Sequence, residues 1–180
     1  MNKKIRELFE ADQKERKYHP QYGTEEYKAL RERDRRRRER AQTLINADEL
    51  SSPEDYYHAA MIFQHGEDLH EIWLAYTLAN KSAELGYRPA RWLTAAAYDR
   101  WLMYQGKPQK YGTQIVPDGK RQRLWDVDPE TTDEERAQWD VPPLEQQHAR
   151  AEELTKAEPM PPMDEAPSWL KKAIKRWKSE

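Results

Sequence analysis

One imidazole in this chain stands in a setting suited to acid–base work. His65 follows Gln64 at the end of a strongly apolar run and is followed by Asp68. Farther along, Asp99 and Arg100 sit side by side shortly before Gly106, and the turn beyond, "GKPQKYGTQ", carries Gln109, Tyr111, Thr113 and Gln114. An imidazole beside a carboxylate can take and return a proton, while a guanidinium holds an anionic group in a planar fork. On that chemistry His65 and Asp99 are candidate catalytic residues of a hydrolase or transferase, with Asp68 as the alternative acid. The same side-chain types, gathered at helix ends, also build pockets for small molecules or peptides. A third reading is structural: a buried amide or carboxylate without a partner costs about 1 to 3 kcal/mol, so such groups often pair with one another to fix a corner.

Several chemistries are excluded or disfavoured. There is no GxSxG, Walker-A loop, GxGxxG or HExxH string. The chain has no cysteine, which removes disulfides, thiolate nucleophiles and Cys-ligated zinc. His58 and His65 lie seven residues apart on one helical face, a poorer chelating spacing than four. Neither a metal nor a cofactor is expected.

The elements that must position these residues are helices. Residues 3–17 read as a helix with Ile5, Leu8, Phe9 and Asp12 on one face, broken by Pro20 and Gly23. Thr24 is a candidate N-cap for a second helix over 25–45, whose sparse apolar residues predict a largely solvated middle. Ser52 followed by Pro53 and two acids starts a third, apolar nearly all round, that stops near Gly66. Helices over 69–85 and 89–105 end at Gly86 and Gly106. Thr113, Ile115, Val116, a Pro-Asp-Gly turn and Leu124 to Val127 then predict a small hairpin. Short helices near 134–139 and 144–154 follow.

The expected fold is all-α: a compact multi-helix domain of tetratricopeptide-like helix hairpins, a small β-hairpin insertion and a C-terminal amphipathic helix. Glycines about 20 residues apart suggest helix pairs, yet at most one and a half units are present, too few for a solenoid. A length of 180 residues suits one domain with a tail. The expected division is a helical domain over 1–158 with its core at 50–128, a Pro-rich linker over 159–167 and the amphipathic helix over 168–180. Only 37% of residues are hydrophobic and 36% are charged, so the core must be concentrated, and residues 56–104 concentrate it. No apolar run reaches transmembrane length and the start lacks a signal-peptide core, so a cytoplasmic protein is expected.

The strings "DYYHAAMIFQHG", "ARWLTAAAYDRWL" and "GKPQKYGTQ" resemble a family of uncharacterised, mostly bacterial proteins marked by a QH…DR…GxPQxYGTQ pattern. With "EADQKER" and "RERDRRRR", the resemblance covers roughly residues 5–128. It implies a recurring polar set, here Asp12, Gln13, Arg16, Asp34, Gln64, His65, Asp99, Arg100, Gln109, Tyr111, Gly112, Thr113 and Gln114, and no established activity. It also implies that Asp12, Gln13 and Arg16 of the first helix join the same ligand-binding pocket.

Two charge runs bear on partners. Residues 31–40 hold seven Arg and three acids, interleaved at helical spacing and without an aromatic for base stacking. A salt-bridged helix is expected there, and nucleic acid is not the expected partner. "SWLKKAIKRWK" places Trp169, Leu170, Ala173, Ile174 and Trp177 opposite its cations, which suits a membrane surface, a partner groove or a return onto the chain's own domain. The leading expectation is a cytoplasmic protein that binds a small molecule or peptide in a polar pocket near the YGTQ turn, built from helices one, three and five and that turn, beside the enzyme and structural alternatives.

Overall fold

A computed structural model of the chain describes residues 1–18, 20, 23–164 and 166–179. Among them the fold is mostly helical with one small antiparallel hairpin. The helices are α1 (Lys3–Arg16), α2 (Glu25–Asn46), α3 (Pro53–Phe63), α4 (Leu69–Glu84), α5 (Pro89–Tyr104), α6 (Asp133–Gln138), α7 (Leu144–Ala157) and α8 (Ser168–Trp177). The strands are β1 (Ile115–Pro117) and β2 (Gln122–Leu124), paired Ile115 with Leu124 and Pro117 with Gln122. The chain divides into two compact units, Met1–Ala97 and Tyr98–Glu180, with the division inside α5. None of the described helices is long and apolar enough to cross a membrane.

In the first unit the caps act where the residue types predict. Thr24 accepts the Tyr27 N–H, and Ser52 and Asp55 form a reciprocal capping box that starts α3. Asp55 also accepts the Asn2 N–H at 2.7 Å, tying the start of α1 to the start of α3. Ile5 and Leu8 of α1 pack with Ala59, Ala60, Ile62 and Phe63 of α3 and with Ala75, Leu78 and Ala79 of α4 in one apolar core. The small alanines let these helices approach closely, so volume lost in side chains is recovered as backbone proximity.

The end of α3 is set by space as well as by sequence. A Cβ on Gly66 would meet Glu71 Cβ at 2.6 Å and the Phe63 carbonyl oxygen at 2.9 Å. Gly66→Ala should therefore destabilise the full chain by about 1 to 3 kcal/mol, as overpacked sites do. Urea unfolding checks this; an unchanged midpoint would mean the 64–68 turn relaxes freely.

The second unit has its own core of Met103, Val116, Trp125, Ala166, Leu170 and Ala173, flanked by Tyr104, Trp169, Ile174 and Trp177. The amphipathic C-terminal segment thus turns its apolar face onto the hairpin. Trp177 Nε1 donates to Asp126 at 2.9 Å, and the Trp125 ring meets Trp169 and Trp177 edge-on at 5.6 and 5.4 Å. Thr155 of α7 accepts the Gln122 N–H at 2.9 Å and holds that helix along β2.

Candidate functional site

The structure sorts the polar residues into two groups, one in each unit. In the first, Asp12 on α1 is buried among cations and an imidazole. His65 Nε2 lies 3.5 Å from Asp12 Oδ2, the Gln13 amide donates to the same oxygen at 2.9 Å, and Arg16 donates to Oδ1 at 3.2 Å. Burial alone raises the Asp12 carboxyl, but the His65 ring, Arg16 and Gln13 outweigh it and hold the carboxyl below its usual range. The acid that meets His65 in this unit is Asp12. Asp68 instead caps α4, its Oδ1 accepting the Glu71 N–H at 2.8 Å. Gln64 is buried as the C-cap of α3.

The expectation of a solvated middle for α2 fails at its inner face. Asp34, Arg37 and Arg38 are buried. Asp34 accepts from Arg16 at 2.8 Å, from Arg31 at 3.3 Å and from Arg37 at 2.7 Å, and Arg37 also pairs with Glu15. Arg31 and Arg38 each donate to the His65 carbonyl at 3.2 Å, and Arg38 pairs with Glu71 at 2.7 Å. Charged side chains replace apolar ones at this interface because each cation finds a carboxylate on a neighbouring element. The outer face matches expectation: Arg35 and Arg36 hold the exposed Glu32 carboxyl down at about 2.

The second group surrounds Asp99 near the end of α5. Its Oδ1 accepts the N–H groups of Lys110 and Tyr111 at 2.8 and 2.9 Å, and its Oδ2 accepts the Thr113 N–H and hydroxyl at 3.0 and 2.8 Å. The side chain has no exposed surface. Burial pushes the carboxyl up against the pull of these donors. Gln109 completes the turn: its amide donates to the carbonyls of Gln114 and Trp125 at 3.0 and 2.9 Å, and its carbonyl accepts the Gln114 N–H at 2.7 Å. Arg100 Nε donates to Gln114 Oε1 at 3.2 Å. The Tyr111 ring is buried and its carbonyl accepts from Arg136 at 3.0 Å. Gly112 has φ +89°, a conformation that a residue with a side chain adopts only under strain.

Three contributors were not anticipated. Nothing in the sequence distinguishes Arg37 and Arg38 from the other arginines of the run. Arg136, buried in α6 with Thr131 and Asp133 as further partners, has no sequence signal beyond a lone cation among acids.

The second unit also contains an open cleft of about 600 Å³ between β2, the 125–131 segment and α7. Leu124, Val127, Leu144 and Ala151 supply its apolar lining, and Arg123, Asp128, His148, Glu152 and Lys156 supply charge and hydrogen-bonding groups. Among the described residues no group of three His, Cys, Asp or Glu is arranged to hold a metal ion. No family model matches the chain, and no curated protein or solved structure matches it.

Proposed function

We propose that the chain is a binding protein for a small polar molecule or short peptide, and that the ligand occupies the cleft along α7. The observation that carries this reading is the cleft itself. Its volume falls within the usual range of ligand sites, and its lining combines an apolar floor with groups of both charge signs. A peptide offers matching chemistry: apolar side chains for Leu124 and Leu144, with an amine and a carboxylate for Glu152 and Lys156. The polar motif then acts as a frame. Asp99 commits both oxygens to its own loop and Asp68 commits one to a helix cap, which supports structural roles for both over acid–base catalysis. We also assign the α3–α4 pair to the tetratricopeptide-like kind of helix hairpin.

A thermal-shift screen of the full chain against short peptides and metabolites tests the reading. A ligand at about a hundred times its Kd adds roughly 2.7 kcal/mol, a shift of several degrees. His148→Trp, at an exposed position of the cleft wall, should abolish the shift, and His65→Ala should leave it. A ligand lost with His65→Ala and retained by His148→Trp would return the site to the polar motif.

A further inference from the structure

The second unit separates its charges. Residues 126–164 are predominantly acidic, whereas α8 and the tip of the hairpin are basic. Lys171 and Lys175 of α8 and Lys178 at its C-cap are exposed and recur at spacings of four and three, Lys171 also donating to the Asp164 carbonyl at 2.6 Å. They form a stripe whose members stand about 6 and 4.5 Å apart along the helix axis. Lys178 then meets Lys120, Arg121 and Arg123 of the hairpin around a recess of about 540 Å³ whose remaining lining is Asp118, Ile174 and Trp177. Among the described residues only one carboxylate lines the recess with these four cations, and it lies 3.7 Å from Arg121. The Arg123 guanidinium stacks over the Trp177 ring at 4.3 Å.

We propose that this face binds single-stranded nucleic acid, at a place separate from the α7 cleft. The lysine stripe neutralises successive phosphates, and the Arg123–Trp177 stack offers a planar surface to a base. Two features favour this partner over an anionic membrane. The apolar side of α8 is already in the core of the unit, with Leu170 and Ala173 buried, so the helix has no face to insert into lipid. The recess also has Trp177 with Arg123 over its ring in its lining, where a bilayer surface would meet only the lysine stripe. The arginine run of α2 is a weaker candidate because Arg31, Arg33, Arg35, Arg36, Arg37 and Arg38 already pair with Glu15, Glu32, Asp34, Glu39, Glu67 and Glu71.

The test is fluorescence anisotropy of a labelled oligo(dT) titrated with the full chain. Wild-type protein should bind at about 50 mM salt and weaken linearly in log affinity against log salt. The triple charge reversal Lys120→Glu, Lys175→Glu and Lys178→Glu, all at exposed positions, should weaken binding by about tenfold or more and reduce the salt slope by about 2. Arg35→Glu with Arg36→Glu on α2 should leave binding unchanged. Circular dichroism confirms that the variants fold. No binding at low salt overturns the proposal, as does equal binding by the triple variant or loss of binding with the α2 reversal. Co-sedimentation with phosphatidylserine vesicles in the absence of oligonucleotide binding would reassign the face to a lipid surface.

Discussion

Asp99→Ala should cost the second unit about 3 to 5 kcal/mol, at the upper end of single substitutions. The carboxylate accepts three backbone N–H groups and one hydroxyl, all from residues 110–113, and no part of it reaches solvent. Removing it leaves buried donors without an acceptor, each costing about 1 to 3 kcal/mol if the loop does not open to water. Opening would expose Tyr111 and loosen the Gln109 contacts to Gln114 and Trp125, so relaxation has its own cost. Asp99→Asn should be milder, at about 2 kcal/mol, because one oxygen still accepts while the new NH₂ faces two donors. Thr113→Ala removes the hydroxyl's bond to Asp99 and the one it accepts from Gln114 Nε2 at 3.0 Å, and should cost about 1 to 2 kcal/mol. Amide hydrogen exchange gives the local readout: the Lys110, Tyr111 and Thr113 N–H groups should lose protection in the order Ala, Asn, wild type. Unchanged protection in Asp99→Ala would show that the loop is held by other means, with Arg136 and Gln109 the first to examine.

This corner also shows what a sequence reveals and what it conceals. Ser52-Pro53 and Thr24 announce helix starts because capping is local chemistry between residues three apart. The hairpin was legible for the same reason, from β-branched residues around Pro117-Asp118-Gly119. That Asp99 and the "YGTQ" residues belong together was also readable, as polar types crowded next to an apolar helix. Its donors were not, since they are mostly backbone N–H groups, which every residue but proline has. Helix α2 failed differently. Its arginines look alike along the chain, and only the acids of other elements (Asp12, Glu15, Glu67 and Glu71) decide which of them are buried. The α7 cleft had a signal that went unused: Leu144, His148, Ala151 and Thr155 recur at four, three and four residues, one stripe of a helix, and all line the cleft. Such a stripe says that a face is special without saying whether it meets the core or a ligand.

Asp34→Ala should destabilise the first unit by about 3 to 5 kcal/mol, the usual effect of removing one partner from a buried ion pair. Asp34 is the acceptor shared by Arg16, Arg31 and Arg37, and its side chain is essentially inaccessible. Without it, Arg37 keeps Glu15 and a longer approach of 3.7 Å to Asp12, Arg16 keeps Asp12, and Arg31 keeps Glu67. The loss is thus an excess of buried positive charge, and a second change that removes a cation should recover part of it. Asp34→Ala with Arg37→Met should be less destabilised than the two single variants summed, a coupling that a double-mutant cycle in urea measures. Strict additivity would mean the network contributes no more than its separate parts. Acid extends the same logic to Asp12. Its folded carboxyl titrates below the unfolded value, so its stabilisation is complete above the unfolded carboxylate range and disappears as pH falls through the folded value. Asp12→Asn should therefore lower stability at neutral pH and flatten the acid limb. An acid limb as steep as that of the wild type would show that the Asp12 carboxylate does not carry it.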